Sequence, residues 1–145
     1  MDHMENNKQL VREYILDIVN TGDVSQISKY IHPEYVEVYN NVRHSIGIEG
    51  ATKHIIGVRK TYPDLILAIE KQFADEDWVV TQITARGTHQ GEWLGMKPTG
   101  AFVEFSGVNI DKIQNNLIIE HDGAANLLET FLEIGAIEIV GHGED

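Results

Sequence analysis

At 145 residues, 42% of them apolar, the chain has material for one hydrophobic core and reads as a single domain over residues 1–145, domains commonly running to about 100–200 residues. Its 23 acidic residues against 11 basic ones, a net charge of −12, repel phosphate backbones and anionic headgroups, so neither nucleic acid nor a membrane is an expected partner. The absence of cysteine excludes disulfides, thiolate nucleophiles and cysteine zinc sites.

Residues 1–4 read as an expression remnant, with Met4 as the natural start, and the lack of an apolar leader stretch reads as cytoplasmic. Leu10, Val11, Tyr14, Ile15, Ile18 and Val19 fall on one helical stripe that ends at Thr21 and Gly22. Asp23 and Gln26 open a short second helix carrying Ile27, Tyr30 and Ile31, stopped at His32 and Pro33. A short strand over 35–39 precedes a third helix, on which Ala51, Ile55, Val58 and Tyr62 recur until Pro63 and Asp64 close it. The period then changes to two, predicting strands over 65–73, 78–89, 102–113 and 117–123 that must pair as an antiparallel meander. A last helix over 126–134 carries Leu127, Leu128, Phe131 and Leu132 and ends at Gly135. Helices followed by a long meander define the α+β class, with the helices on one face of the sheet.

The stretch from Gly87 through Thr88, His89, Gly91, Gly95, Pro98 and Thr99 to Gly100 resembles the G-T-H-x-G-x-x-x-G-x-x-P-T-G signature of the SnoaL-like polyketide cyclases. Tyr62 to Leu65, Glu104 to Gly107 and Ile118 to His121 join it in the family's order, so the resemblance covers roughly residues 9–137. It implies a cone-shaped nuclear transport factor two-like fold with a pocket between helices and a curved antiparallel sheet, and a homodimer. It also implies intramolecular aldol chemistry with an Asp as acid/base, without metal or cofactor. The family's E-H-W-x-x-x-D pattern is kept at Glu120 and His121, but Asp122 stands for the Trp and Asn126 for the Asp.

Such chemistry needs a base beside a carbonyl, donors for the enolate oxygen and apolar walls. Asp122, His89 and Glu120 are the catalytic candidates; Tyr14, Tyr39, Trp93, His121 and Asn126 are the candidates for holding a small-molecule ligand. Strand alternation puts Glu120 and Asp122 on one face and His121 on the other, and the sharper expectation has Asp122 facing the pocket, replacing the acid lost at Asn126. His89 either projects into the cavity mouth or only hydrogen-bonds the hairpin, and Trp93 either caps the pocket or packs. Gly91, Gly95 and Gly100 are expected to allow positive φ. The seven histidines, His3, His32, His44, His54, His89, His121 and His142, lack paired ligand spacing, so no metal site is expected. His32 and His54 read as helix-boundary and surface residues. The outer face of the bent sheet, with Val79, Ile83 and Phe105 or their alternates, is expected to need cover by a second copy. A cofactor-free cyclase or isomerase, a ligand-binding protein without chemistry, and a dimeric interaction module remain as functions, in that order.

Overall fold

The computed structural model describes residues 2–141 and 143, so that Met1 and His142 lie outside the described residues. Helix α1, His3–Tyr14, begins at Asp2, whose carboxylate accepts the Glu5 N–H at 2.8 Å and so satisfies an otherwise orphaned donor. It widens into a π turn over Ile15–Val19, which keeps Leu10, Val11, Ile15 and Ile18 buried as the stripe requires. The expected second helix is a single 3₁₀ turn, Ile27–Lys29, and Ile31 already belongs to strand β1, Ile31–Tyr39. Pro33 sits inside that strand, where its missing N–H is tolerated because the pairing register shifts between Ile31 and Val36.

A two-residue turn with Asn40 and Asn41 at φ 49° and 63° leads to β2, Val42–Ser45, the left-handed pair that a tight hairpin demands. Helix α2, Gly47–Thr61, buries Ala51 and Ile55 and hands over to β3, Ile66–Asp75, β4, Trp78–Thr88, β5, Phe102–Gln114, and β6, Leu117–Ala125. Helix α3, Leu128–Glu133, is shorter than the periodicity suggested.

The six strands form one sheet in the order β2-β1-β6-β5-β4-β3. The meander from β3 to β6 is antiparallel; two-residue turns join β3 to β4 and β5 to β6, and a long loop joins β4 to β5. The one departure from an antiparallel sheet is β1, which lies parallel to β6. Helices α1 and α2 cover the face that carries Val79, Thr81, Ile83 and Ala85, all buried. Val79 and Ile83 thus lie in the core, and Phe105 packs inward against Tyr62; the outward residues are their alternates, among them Phe73, Val108 and Phe102. No described helix is long and apolar enough to cross a membrane.

Candidate functional site

One row of residues crosses the inner face of the sheet. Pairing sets Glu37 of β1 beside His121 of β6, His121 beside Asp111 of β5, and Asp111 beside Val79 of β4. Tyr35, two residues from Glu37 on β1, shares this face and is buried. Asp111 is 4% exposed and its Oδ1 lies 2.7 Å from His121 Nδ1. A buried carboxylate beside an imidazole fixes the tautomer: Nδ1–H donates to Asp111, leaving Nε2 as the free nitrogen. The His121 side chain keeps 30% of its surface open.

Desolvation alone would lower the His121 pKa, but attraction and hydrogen bonding from Asp111, with the charges of Glu37 and Asp122, outweigh it and hold the pKa above the ordinary 6.5. Glu37 is also desolvated. Its pKa nevertheless falls below the ordinary carboxylate value, because His54 Nδ1 approaches its oxygens at 2.7 and 3.0 Å and the Tyr35 hydroxyl donates to it at 3.2 Å. Burial first, then the carboxylates of Asp111 and Glu37, push the Tyr14 hydroxyl far up, so Tyr14 stays a neutral donor. Tyr35 is raised for the same kinds of reason. The cluster therefore combines a titratable imidazole at His121, two carboxylates with distinct partners, and two neutral tyrosine hydroxyls.

The expected inward placement of Glu120 and Asp122 is corrected by a β-bulge. The two-residue turn at Asn115 and Asn116, both at positive φ, pairs Gln114 with Leu117 and Ile113 with Ile118, and strict alternation would then set Glu120 opposite Asp111. Ile119 is the extra residue. Beyond it Lys112 pairs with Glu120 and Asp111 with His121, so the whole set of side chains changes face. Glu120 lies on the outer face and takes an ion pair from Arg43. Asp122 is on that face too, paired with Ile110, and its Oδ1 accepts the Gly123 N–H at 2.7 Å.

The other expected residues scatter. His89 is fully buried at the far end of β4, its Nδ1 3.1 Å from Thr99 Oγ1, so the hairpin-bonding alternative describes it better than exposure at a mouth. Trp93, 39% exposed, packs on Phe131 with ring centroids 6.0 Å apart. Tyr39 is exposed beside the β1–β2 turn. Asn126, also exposed, lines an external hollow of about 340 Å³ with Thr84, Glu104, Ser106, Glu129 and Glu133, away from His121. Of the candidates, Tyr14 and His121 alone meet at the inner cluster. Among the described residues no group of three or more His, Asp or Glu is arranged to hold a metal ion.

Asp111, Glu37 and His54 are the functional candidates that sequence reading missed. Asp111 carried a usable signal, a carboxylate at the same parity as Val103, Phe105 and Ile113. Nothing local marks Glu37 or His54, which meet across 17 residues.

Helices laid on one face of an unclosed six-stranded sheet, with a titratable cluster on that inner face, define the class of small α+β cones of the nuclear transport factor two-like kind. A model of the SnoaL-like polyketide cyclase family matches residues 9–134, and the chain belongs to that family. It is 25% identical over 126 residues to aklanonic acid methyl ester cyclase AcmA of Streptomyces galilaeus, covering 83% of this chain and 85% of that one. Nogalonic acid methyl ester cyclase of Streptomyces nogalater is 25% identical over 119 residues, covering 80% and 88%. AclR of Streptomyces galilaeus, a proposed hydroxylase, superposes with a TM-score of 0.79 at 29% identity, covering 95% of this chain and 90% of its own.

Proposed function

We propose that the protein is a cofactor-independent cyclase or isomerase that closes a ring in a small, carbonyl-bearing apolar substrate. The observation that carries this reading is the His121–Asp111 pair, 2.7 Å apart and facing two tyrosines. In the proposed reaction neutral His121 Nε2 removes a proton from the carbon next to a carbonyl, and Asp111 stabilises the imidazolium through Nδ1–H. The electron pair moves onto the carbonyl oxygen, held by the Tyr14 hydroxyl. The enolate carbon then attacks a second carbonyl carbon of the same molecule, and the new alkoxide takes the proton back from His121. The product is an isomer of the substrate. On this reading Asp122 acts through its charge on His121 rather than as the proton carrier, and Glu120 is structural.

Nogalonic acid methyl ester and aklanonic acid methyl ester, named for the relatives' reactions, are the substrates to try. Purified protein is expected to convert one of them to a product of unchanged mass, and His121→Gln to lose at least 100-fold in rate. A product heavier by one oxygen would favour the reaction proposed for AclR. Tight binding without turnover would favour the ligand-binding reading, which Asn126 in place of the family's Asp supports. A homodimer through the outer face belongs to the same proposal, supported by Phe73, Phe102 and Ile66 standing 62%, 63% and 49% exposed there.

A further inference from the structure

Two buried side-chain atoms have no hydrogen-bonding partner in the protein among the described residues, and they belong to neighbouring rings: Tyr62 Oη and His89 Nε2. Both residues are deeply buried, and their rings lie 6.0 Å apart at the centroids. The tautomer of His89 follows from the opposite side of its ring. The Thr99 N–H donates to Nδ1 at 3.3 Å, and Thr99 Oγ1, which already accepts the Ala101 N–H, lies 3.1 Å from the same nitrogen. Nδ1 is therefore an acceptor, and the proton sits on Nε2. Two donors, Nε2–H and Oη–H, are thus held in an apolar surrounding, where an unmade hydrogen bond is costly.

The surrounding is aromatic. Phe131 packs on His89 at 6.1 Å and on Trp93 at 6.0 Å, and Phe105 packs on Tyr62 at 6.2 Å. Phe131 is the one buried residue of α3, a six-residue helix without a side-chain cap at its start, so its ring can be withdrawn without breaking a sheet hydrogen bond. Along the chain, His89 lies ten residues beyond Val79, the neighbour of Asp111, which separates this aromatic cluster from the His121 cluster.

We propose that Tyr62 and His89 are the donors of a second ligand subsite, which takes the carbonyl oxygen of an aromatic ketone in the space Phe131 fills when no ligand is bound. The ketone oxygen accepts from both donors, and its ring replaces that of Phe131 between Trp93 and His89. The inference stands on these contacts and not on the cyclisation chemistry.

The probe is 1-tetralone labelled with ¹³C at the carbonyl, titrated into the full chain and followed by its ¹³C shift and by the His89 Nε2–H resonance. Wild type is expected to bind saturably with both signals moving. Phe131→Leu is expected to bind about ten-fold tighter and Tyr62→Phe about ten-fold weaker. Without probe, Tyr62→Phe is expected to melt at a higher temperature, because it deletes a buried hydroxyl that the protein leaves unbonded. His121→Gln, which should abolish cyclisation, is expected to bind tetralone as wild type does, so failure of one proposal is distinguishable from failure of the other. Lack of saturable binding to both wild type and Phe131→Leu would overturn the inference. So would affinity unchanged by Tyr62→Phe, or a lower melting temperature for that variant, since the latter means a bound water already satisfies the hydroxyl.

Discussion

At the scale of single residues, His121 and Glu37 respond to pH in opposite senses because their pKa values are displaced in opposite directions. The raised His121 pKa contributes stability that is fully present below 6.5, the ordinary value, and is lost as pH rises through the folded value. The lowered Glu37 pKa contributes stability present above 4.5 that is lost as pH falls through its folded value. Urea midpoints of wild type and Glu37→Gln should therefore differ most at about pH 6 and converge towards about pH 3. A gap that widened on acidification would show that His54 does not hold the Glu37 carboxylate ionised. Asp111→Asn removes the largest favourable charge beside His121, and the His121 titration followed by NMR should then move to lower pH. An unmoved titration would mean that the 2.7 Å contact carries no ion pairing in solution.

Among the elements, the long loop between β4 and β5 is fixed to the rest of the fold at its first turn. Gln90 and Gly91 both donate to the Thr61 carbonyl, and a Cβ on Gly91 would lie 2.2 Å from the Lys60 oxygen. Gly95 and Gly100 do take positive φ, 82° and 74°, but the reason for Gly91 is this close approach of backbone, not its own conformation. Gly91→Ala should cost about 1–3 kcal/mol, the usual range for overpacking, read from the urea midpoint. A change within the error of that measurement would mean that the loop lifts freely from α2. The helical stripe of α1 and the period-two strands β3 to β6 were legible in the sequence because each is a local pattern, whereas the Asn40–Asn41 turn and β2 after it were not read. The bulge at Ile119 was not, since alternation has no marker for one added residue, and that single residue decides whether Glu120 or His121 faces the helices. Parallel docking of β1 against β6 was equally hidden, because it joins segments more than 80 residues apart.

For the whole molecule, the outer sheet face carries exposed Phe73, Phe102 and Ile66, the last two beside the Arg86–Glu104 ion pair, while the net charge of −12 opposes unspecific association. The proposed two-fold dimer would bury the aromatic residues of both copies. Sedimentation at micromolar concentration should give twice the chain mass of 16.3 kDa, and Phe73→Glu combined with Phe102→Glu should give the monomer. A monomeric wild type would leave the dimer without support. The family relationship fixes the cone but not the reaction, because function resides in the particular groups a fold presents. Here those groups differ from the family pattern at Asp122 and Asn126, and in the proposed reaction the acid/base role falls to His121 with Asp111. The most direct test measures the cyclisation rate and the His121 titration against pH on the same protein. The rate should rise with the fraction of neutral His121, both curves should move together to lower pH in Asp111→Asn, and Asp122→Asn should keep most of the activity. Activity that survives His121→Gln but disappears in Asp122→Asn would contradict the proposed reaction.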